Sequence, residues 1–127
     1  MMTLQDHTVL VLVDDLFFLS KIQTTLRHIG MSAQVLTSPQ ALGDYLRTAT
    51  PALAVIDLTL RVAAAGELIG IIRAEPLARD VPILAFGPHV AADAQRQALQ
   101  AGATQVVAKS EFSRHLPDLI RRYVQPQ

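Results

Sequence analysis

Five short apolar runs alternate along the chain with longer stretches of helical period. The runs are Val9 to Val13, Met31 to Leu36, Ala52 to Ile56, Val81 to Phe86 and Gln105 to Ala108. Four are almost continuously apolar, as strands covered by helices on both faces require. The second differs, because Met31, Ala33 and Val35 alternate with Ser32 and Gln34, and it is assigned to a sheet edge. Between the runs, Leu19, Ile22, Leu26 and Ile29 recur at three and four residues and predict a first helix stopped at Gly30. Ser38 and Pro39 open a second helix through Leu42, Tyr45 and Leu46, and Leu68, Ile69, Ile71 and Ile72 fill a third. A fourth runs from Pro88 to about Ala101, and the last, with Ser113 as its expected cap, carries Leu116, Leu119, Ile120, Tyr123 and Val124. Strands alternating with helices predict an α/β fold whose sheet is parallel, with right-handed crossovers and a functional crevice at the carboxyl ends of its strands.

Length and charge narrow the choice. A chain of 127 residues, half of them hydrophobic, suits one domain over 1–127, with a core from about 8 to 124 and no room for an output domain. Eleven basic and eleven acidic side chains give zero formal charge, so the balance points to neither nucleic acid nor an anionic membrane. There is no cysteine, and the four histidines are too dispersed for a zinc spacing. The first residues lack a basic n-region and Val9 to Val13 is too short for a signal or a span, which predicts a soluble, cytoplasmic protein.

Asp14 and Asp15 follow the first run and Asp57 follows the third, so three carboxylates fall at one end of the sheet if the first and third strands are neighbours in a doubly wound order. Such crowding disfavours ionisation unless a cation compensates it, and Mg²⁺, a hard ion that takes oxygen ligands and keeps several waters, suits the task. Lys109 closes the fifth run at the same end, placing an ammonium to pair with Asp57 or with a phosphoryl oxygen. Two metal carboxylates, a nucleophilic carboxylate and a cation are the parts of an aspartyl-phosphate site.

In Val-Leu-Val-Asp14-Asp15, Val-Ile-Asp57-Leu, Val81-Pro82-Ile83-Leu84, Ala101-Gly102-Ala103 and Lys109 the sequence resembles the response-regulator receiver family over nearly its whole length. The resemblance implies a doubly wound, flavodoxin-like (CheY-like) five-stranded parallel sheet of order 2-1-3-4-5. It further implies Asp57 as phosphoacceptor, Mg²⁺ held by Asp14, Asp15, Asp57 and the backbone carbonyl of Thr59, and Lys109 contacting the phosphoryl group. Such a protein is a signalling domain rather than an enzyme, fed by a histidine kinase or phosphotransfer protein in a two-component phosphorelay and acting on a downstream protein by contact. The departures are specific. The family's Ser or Thr ending the fourth strand is Gly87, its aromatic switch residue on the fifth strand is Val106, the proline after its lysine is Ser110, and the proline in the loop after the acceptor is Arg61.

Leu16, Phe17, Phe18 and Leu19 form more apolar surface than one helix stripe needs, so at least one phenylalanine is expected exposed by the site as a partner surface. His89 is read as a solvated residue at a helix start, and Tyr123 with Arg121 and Arg122 as a packed ring and solvated face, with a homodimer seam as the other reading. Two functions compete: a phosphorylatable switch or relay, favoured by Asp14, Asp15, Asp57 and Lys109, and a degenerate receiver serving as a phosphate-independent interaction or dimerisation module, favoured by Gly87 and Val106. A haloacid-dehalogenase-like hydrolase needs Asp-x-Asp where this chain has Asp14-Asp15-Leu16, and no glycine-rich phosphate loop is present.

Overall fold

The structure, a computed structural model, describes residues 7–88 and 92–124. Five parallel strands, β1 (Thr8–Leu12), β2 (Ser32–Val35), β3 (Leu53–Asp57), β4 (Ile83–Gly87) and β5 (Gln105–Ala108), stand in the order β2-β1-β3-β4-β5. The expected doubly wound sheet is therefore present, with β2 at its edge, partly exposed as its alternation requires. Helices α1 (Leu16–His28), α2 (Pro39–Leu46), α3 (Ala65–Ala74), α4 (Ala92–Ala101), α5 (Lys109–Arg114) and α6 (Leu116–Arg121) connect and flank the strands.

The pleat divides the core in two. Val9, Val11, Leu53, Val55, Leu84, Phe86 and Val107 face one way, against Ile22 and Leu26 of α1, Phe112 of α5 and Leu116, Leu119 and Ile120 of α6. The alternate residues Leu10, Leu12, Ala54, Ile56, Ile83 and Ala85 face the other way, against Leu42 and Leu46 of α2, Leu68, Ile69 and Ile72 of α3 and Ala98 of α4. Both faces of the central strands are thus buried, which accounts for their unbroken apolar runs.

Helix ends follow their sequence signals in most places. Ser38 Oγ accepts from the Ala41 N–H at 3.0 Å with Pro39 in the first turn of α2. Gly30, at φ +80°, ends α1, and the Met31 N–H reaches back to the Leu26 carbonyl. The last helix departs from expectation. Helix α5 starts at Lys109, directly on β5, so Ser113 lies inside it rather than capping it. The chain then breaks at His115 and restarts as α6, because Pro117 lacks the N–H a continuous helix needs and its ring excludes the preceding turn. Tyr123 packs against the first core and bonds the Gln105 side chain, which also accepts from Arg122 at 3.1 Å, so the tyrosine is a packed ring. His89 lies outside the described residues.

At the amino-terminal end of the strands Arg73 of α3 acts as a clasp. Its guanidinium donates to the carbonyls of Val81 (2.7 Å), Arg79 (2.8 Å) and Gly102 (3.0 Å), tying the end of α3 to the approach to β4 and the turn before β5. Gly102 sits at φ +127°, and a Cβ there would stand 2.6 Å from Arg73 Cγ, so the residue is glycine for both conformation and space. Among the described residues no helix is long and apolar enough to cross a membrane.

Candidate functional site

The site lies at the other end, where β1, β3 and β5 finish. Asp14, Asp15, Asp57, Thr59, Arg61, Val62 and Lys109 line one open cleft of about 550 Å³. All the residues expected to hold metal or phosphate line it, supplied by the loop after β1, the last residue of β3, the loop after β3 and the first residue of α5.

Each carboxylate has a protein donor of its own. Asp57 is 3% exposed, and its Oδ1 accepts from the Thr59 N–H at 2.8 Å and the Thr59 hydroxyl at 2.7 Å. A buried carboxylate needs such donors, and they leave Oδ2 without a hydrogen bond from a described residue. Asp14 Oδ2 accepts from the backbone N–H of Arg61 at 3.0 Å. Proline, expected at that position from the family pattern, has no N–H to give. Asp15 Oδ1 caps α1, accepting from Phe17 N–H at 3.0 Å and Phe18 N–H at 3.2 Å, while its Oδ2 is 3.7 Å from Lys109 Nζ. The Phe18 N–H, with the Lys109 charge and the Phe17 N–H, holds the Asp15 carboxyl below its ordinary 3.8 against the opposing pull of desolvation.

Two features of the side-chain arrangement bear on that chemistry. Lys109 does not pair with Asp57. Among the described residues its one ion pair is with Asp15, and its ammonium lies over the Phe18 ring, 4.8 Å from the centroid. Nor do Asp14, Asp15 and Asp57 form a ready-made metal cluster; among the described residues no three acidic or histidine side chains gather closely enough to hold an ion. The three carboxylates instead accept from separate backbone N–H groups, of Phe17, Thr59 and Arg61. The donor set nonetheless fits Mg²⁺ chemically: it is all oxygen, and each carboxylate keeps one oxygen free of a hydrogen bond from a described residue, so one or two of them plus water suffice.

The phenylalanine pair splits. Phe17 is 90% exposed beside the also exposed Leu16, while Phe18 turns in and packs against Phe86 and Phe112. Gly87 ends β4 beside Ala108, and no hydroxyl stands there; Val106 packs half-buried with the second core. Three contributors were not read from sequence. The family resemblance points to the Thr59 carbonyl and not to its hydroxyl, the Arg61 amide is main chain and leaves no mark in side-chain type, and the Phe86–Phe112 stack joins residues 26 positions apart. Asp15 as a helix cap was legible, since aspartate immediately before an apolar helical stripe is an ordinary N-cap signal.

Comparison with known proteins gives the family and the fold. The family model for the response regulator receiver domain matches residues 9–121. No curated protein matches the chain. Among solved structures, a response regulator from Hahella chejuensis superposes with a TM-score of 0.83 at 22% identity, over 93% of this chain and 95% of that one. The receiver domain of a sensor histidine kinase from Pseudomonas aeruginosa PAO1, with a magnesium ion coordinated in its active-site cleft, gives 0.80 at 21% identity, over 92% and 96%. The phosphorylated cyanobacterial phytochrome response regulator RcpA gives 0.80 at 15% identity, over 92% and 93%.

Proposed function

The chain belongs to the response-regulator receiver domain family, and from that premise we propose that it accepts a phosphoryl group on Asp57 and passes the resulting state on by protein–protein contact. The observation that carries the reading is the placement of Asp57. It is a buried carboxylate at the carboxyl end of β3, opening on a cleft that also holds two further acids and a lysine.

Receivers are signalling domains whose ordinary partners are histidine kinases and phosphotransfer proteins, and the donor proposed here is a phosphohistidine on such a protein. Thr59 fixes one oxygen of Asp57 through two hydrogen bonds, leaving Oδ2 to attack phosphorus. As the new O–P bond forms, the bond to the donor breaks and its electron pair leaves with the imidazole nitrogen. The reaction needs little covalent help beyond alignment and charge compensation. Lys109, released from Asp15, pairs with the phosphoryl oxygens. Asp14, Asp15, Asp57 and the Thr59 carbonyl are the residues to hold Mg²⁺, which when bound neutralises charge on the transferring group.

Incubation with Mg²⁺ and a small phosphodonor, followed by intact-mass measurement, tests the proposal. Wild type should gain one phosphoryl group and Asp57→Asn none, with the variant's fold intact or slightly more stable because a buried charge is removed. Absence of a mass gain in the wild type, or equal labelling of Asp57→Asn, would overturn it. A phosphate-independent interaction module is the second reading, favoured by the missing hydroxyl at Gly87 and by Lys109 lying against α1.

A further inference from the structure

The two faces of the sheet are unequally equipped to sense what happens at Asp57. Asp57 continues the Leu53 and Val55 side of β3, and its register partner Phe86 continues the Leu84 side of β4, so both belong to the face packed by α1, α5 and α6. Gly87 and Val106 belong to the opposite face, where Gly87 offers no side chain and Val106 only two methyl groups. On the Asp57 side the contacts are aromatic and continuous. Phe86 and Phe112 stack with centroids 4.3 Å apart and planes 7° from parallel. Phe18 closes on both, at 5.2 Å and 5.7 Å, and carries the Lys109 ammonium on its ring. Lys21 of α1 then donates to Ser113 Oγ of α5 at 2.7 Å, closing the seam between the two helices.

We propose that Phe18 is a positioning residue which, with Asp15, holds Lys109 away from Asp57, and that occupancy of Asp57 is read at the α1–α5 seam when this hold is released. The proposal rests on Asp57 being the phosphoacceptor. A contact made only in the unoccupied state opposes occupancy by its own worth, so deleting it favours the occupied state by the same factor. The ring–ammonium contact is partly exposed, and such contacts correspond to about a twofold to fivefold effect. Packing at Phe18 that is common to both states cancels and leaves the affinity unchanged, which separates positioning from a merely structural role.

Titration with beryllofluoride and Mg²⁺, followed by amide chemical shifts, tests this. Phe18→Leu keeps an apolar side chain but removes the ring, and should bind beryllofluoride about twofold to fivefold more tightly; Phe18→Tyr keeps the ring and should match wild type. In the wild type, saturation should move Phe17, Phe18, Phe112 and Ser113 more than Leu99 and Val106, a readout that does not depend on any variant folding. Unchanged or weaker binding by folded Phe18→Leu, or larger shifts at Leu99 and Val106 than at the seam, would overturn the proposal while leaving Asp57 as acceptor. Failure of wild type to bind beryllofluoride at all would remove both.

Discussion

Replacing Arg73 by methionine keeps most of the side chain's stem and deletes the guanidinium, and its cost follows from what the guanidinium holds. Three carbonyls, of Val81, Arg79 and Gly102, accept from it at 2.7, 2.8 and 3.0 Å. The contacts to the Ala78 carbonyl at 3.4 Å and the Thr104 hydroxyl at 3.5 Å are too long to add much. Hydrogen bonds from a charged donor are worth about 1.5–3 kcal/mol each, but Arg73 is only partly buried and water reaches some of the freed carbonyls. Taking about 1 kcal/mol for each short bond gives a loss of about 3 kcal/mol, a large share of the 5–15 kcal/mol typical of a domain, so about 3 kcal/mol should be readily visible. With a urea m-value of about 1.5 kcal/mol/M, the unfolding midpoint should fall by about 2 M. Arg73→Lys should recover less than half of this, because one ammonium cannot span acceptors on both sides of the clasp. Beryllofluoride affinity should stay within about twofold of wild type for either variant, since the clasp and the cleft are at opposite ends of the strands. A midpoint shift below about 0.5 M for Arg73→Met would refute the clasp as a principal tie.

Two further outcomes can be measured on the same material. The Tyr45 hydroxyl is buried with no hydrogen-bond partner among the described residues, and burial raises its pKa above 10.0; Tyr45→Phe should therefore leave the urea midpoint unchanged or raise it, by up to about 1 kcal/mol of stability, and a clear loss would mean that the hydroxyl has a partner. The Asp15 carboxyl titrates below 3.8 in the folded protein, so its capping of α1 adds stability above the unfolded value and loses it as pH falls through the lower folded value. The Phe17 and Phe18 amide shifts should accordingly titrate together with a midpoint under 3.8, and a midpoint at or above 3.8 would contradict the cap.

What was legible in the chain, and what was not, divides along physical lines. Burial of both sheet faces forces unbroken apolar strands, and the half-exposed β2 shows itself by alternation, so strand number, edge strand and crevice could be read directly. The strand-end positions of Asp14, Asp15, Asp57 and Lys109 followed from the same pattern. Their pairing did not, because Asp15 and Lys109 are 94 positions apart and which acid the ammonium meets depends on side-chain packing at Phe18. Arg73 stood inside an ordinary amphipathic helix, and its acceptors are main-chain carbonyls that any residue would carry, so no residue type announced the clasp. The break before α6 was signalled by Pro117, yet the apolar stripe through Leu116 and Leu119 masked it.

Asp15 holds two posts at once, as the cap that starts α1 and as a wall of the cleft. Helix formation alone would favour an aspartate there even in a descendant that had abandoned phosphate altogether. Asp57 caps no helix: its local tie is the turn it makes with Thr59, and at 3% exposure a carboxylate there carries a desolvation cost that an apolar residue would not. The two acids therefore differ as witnesses. When related chains are sorted into active and silent ones, the identity of the residue at position 57 should discriminate between them, and that at position 15 should not.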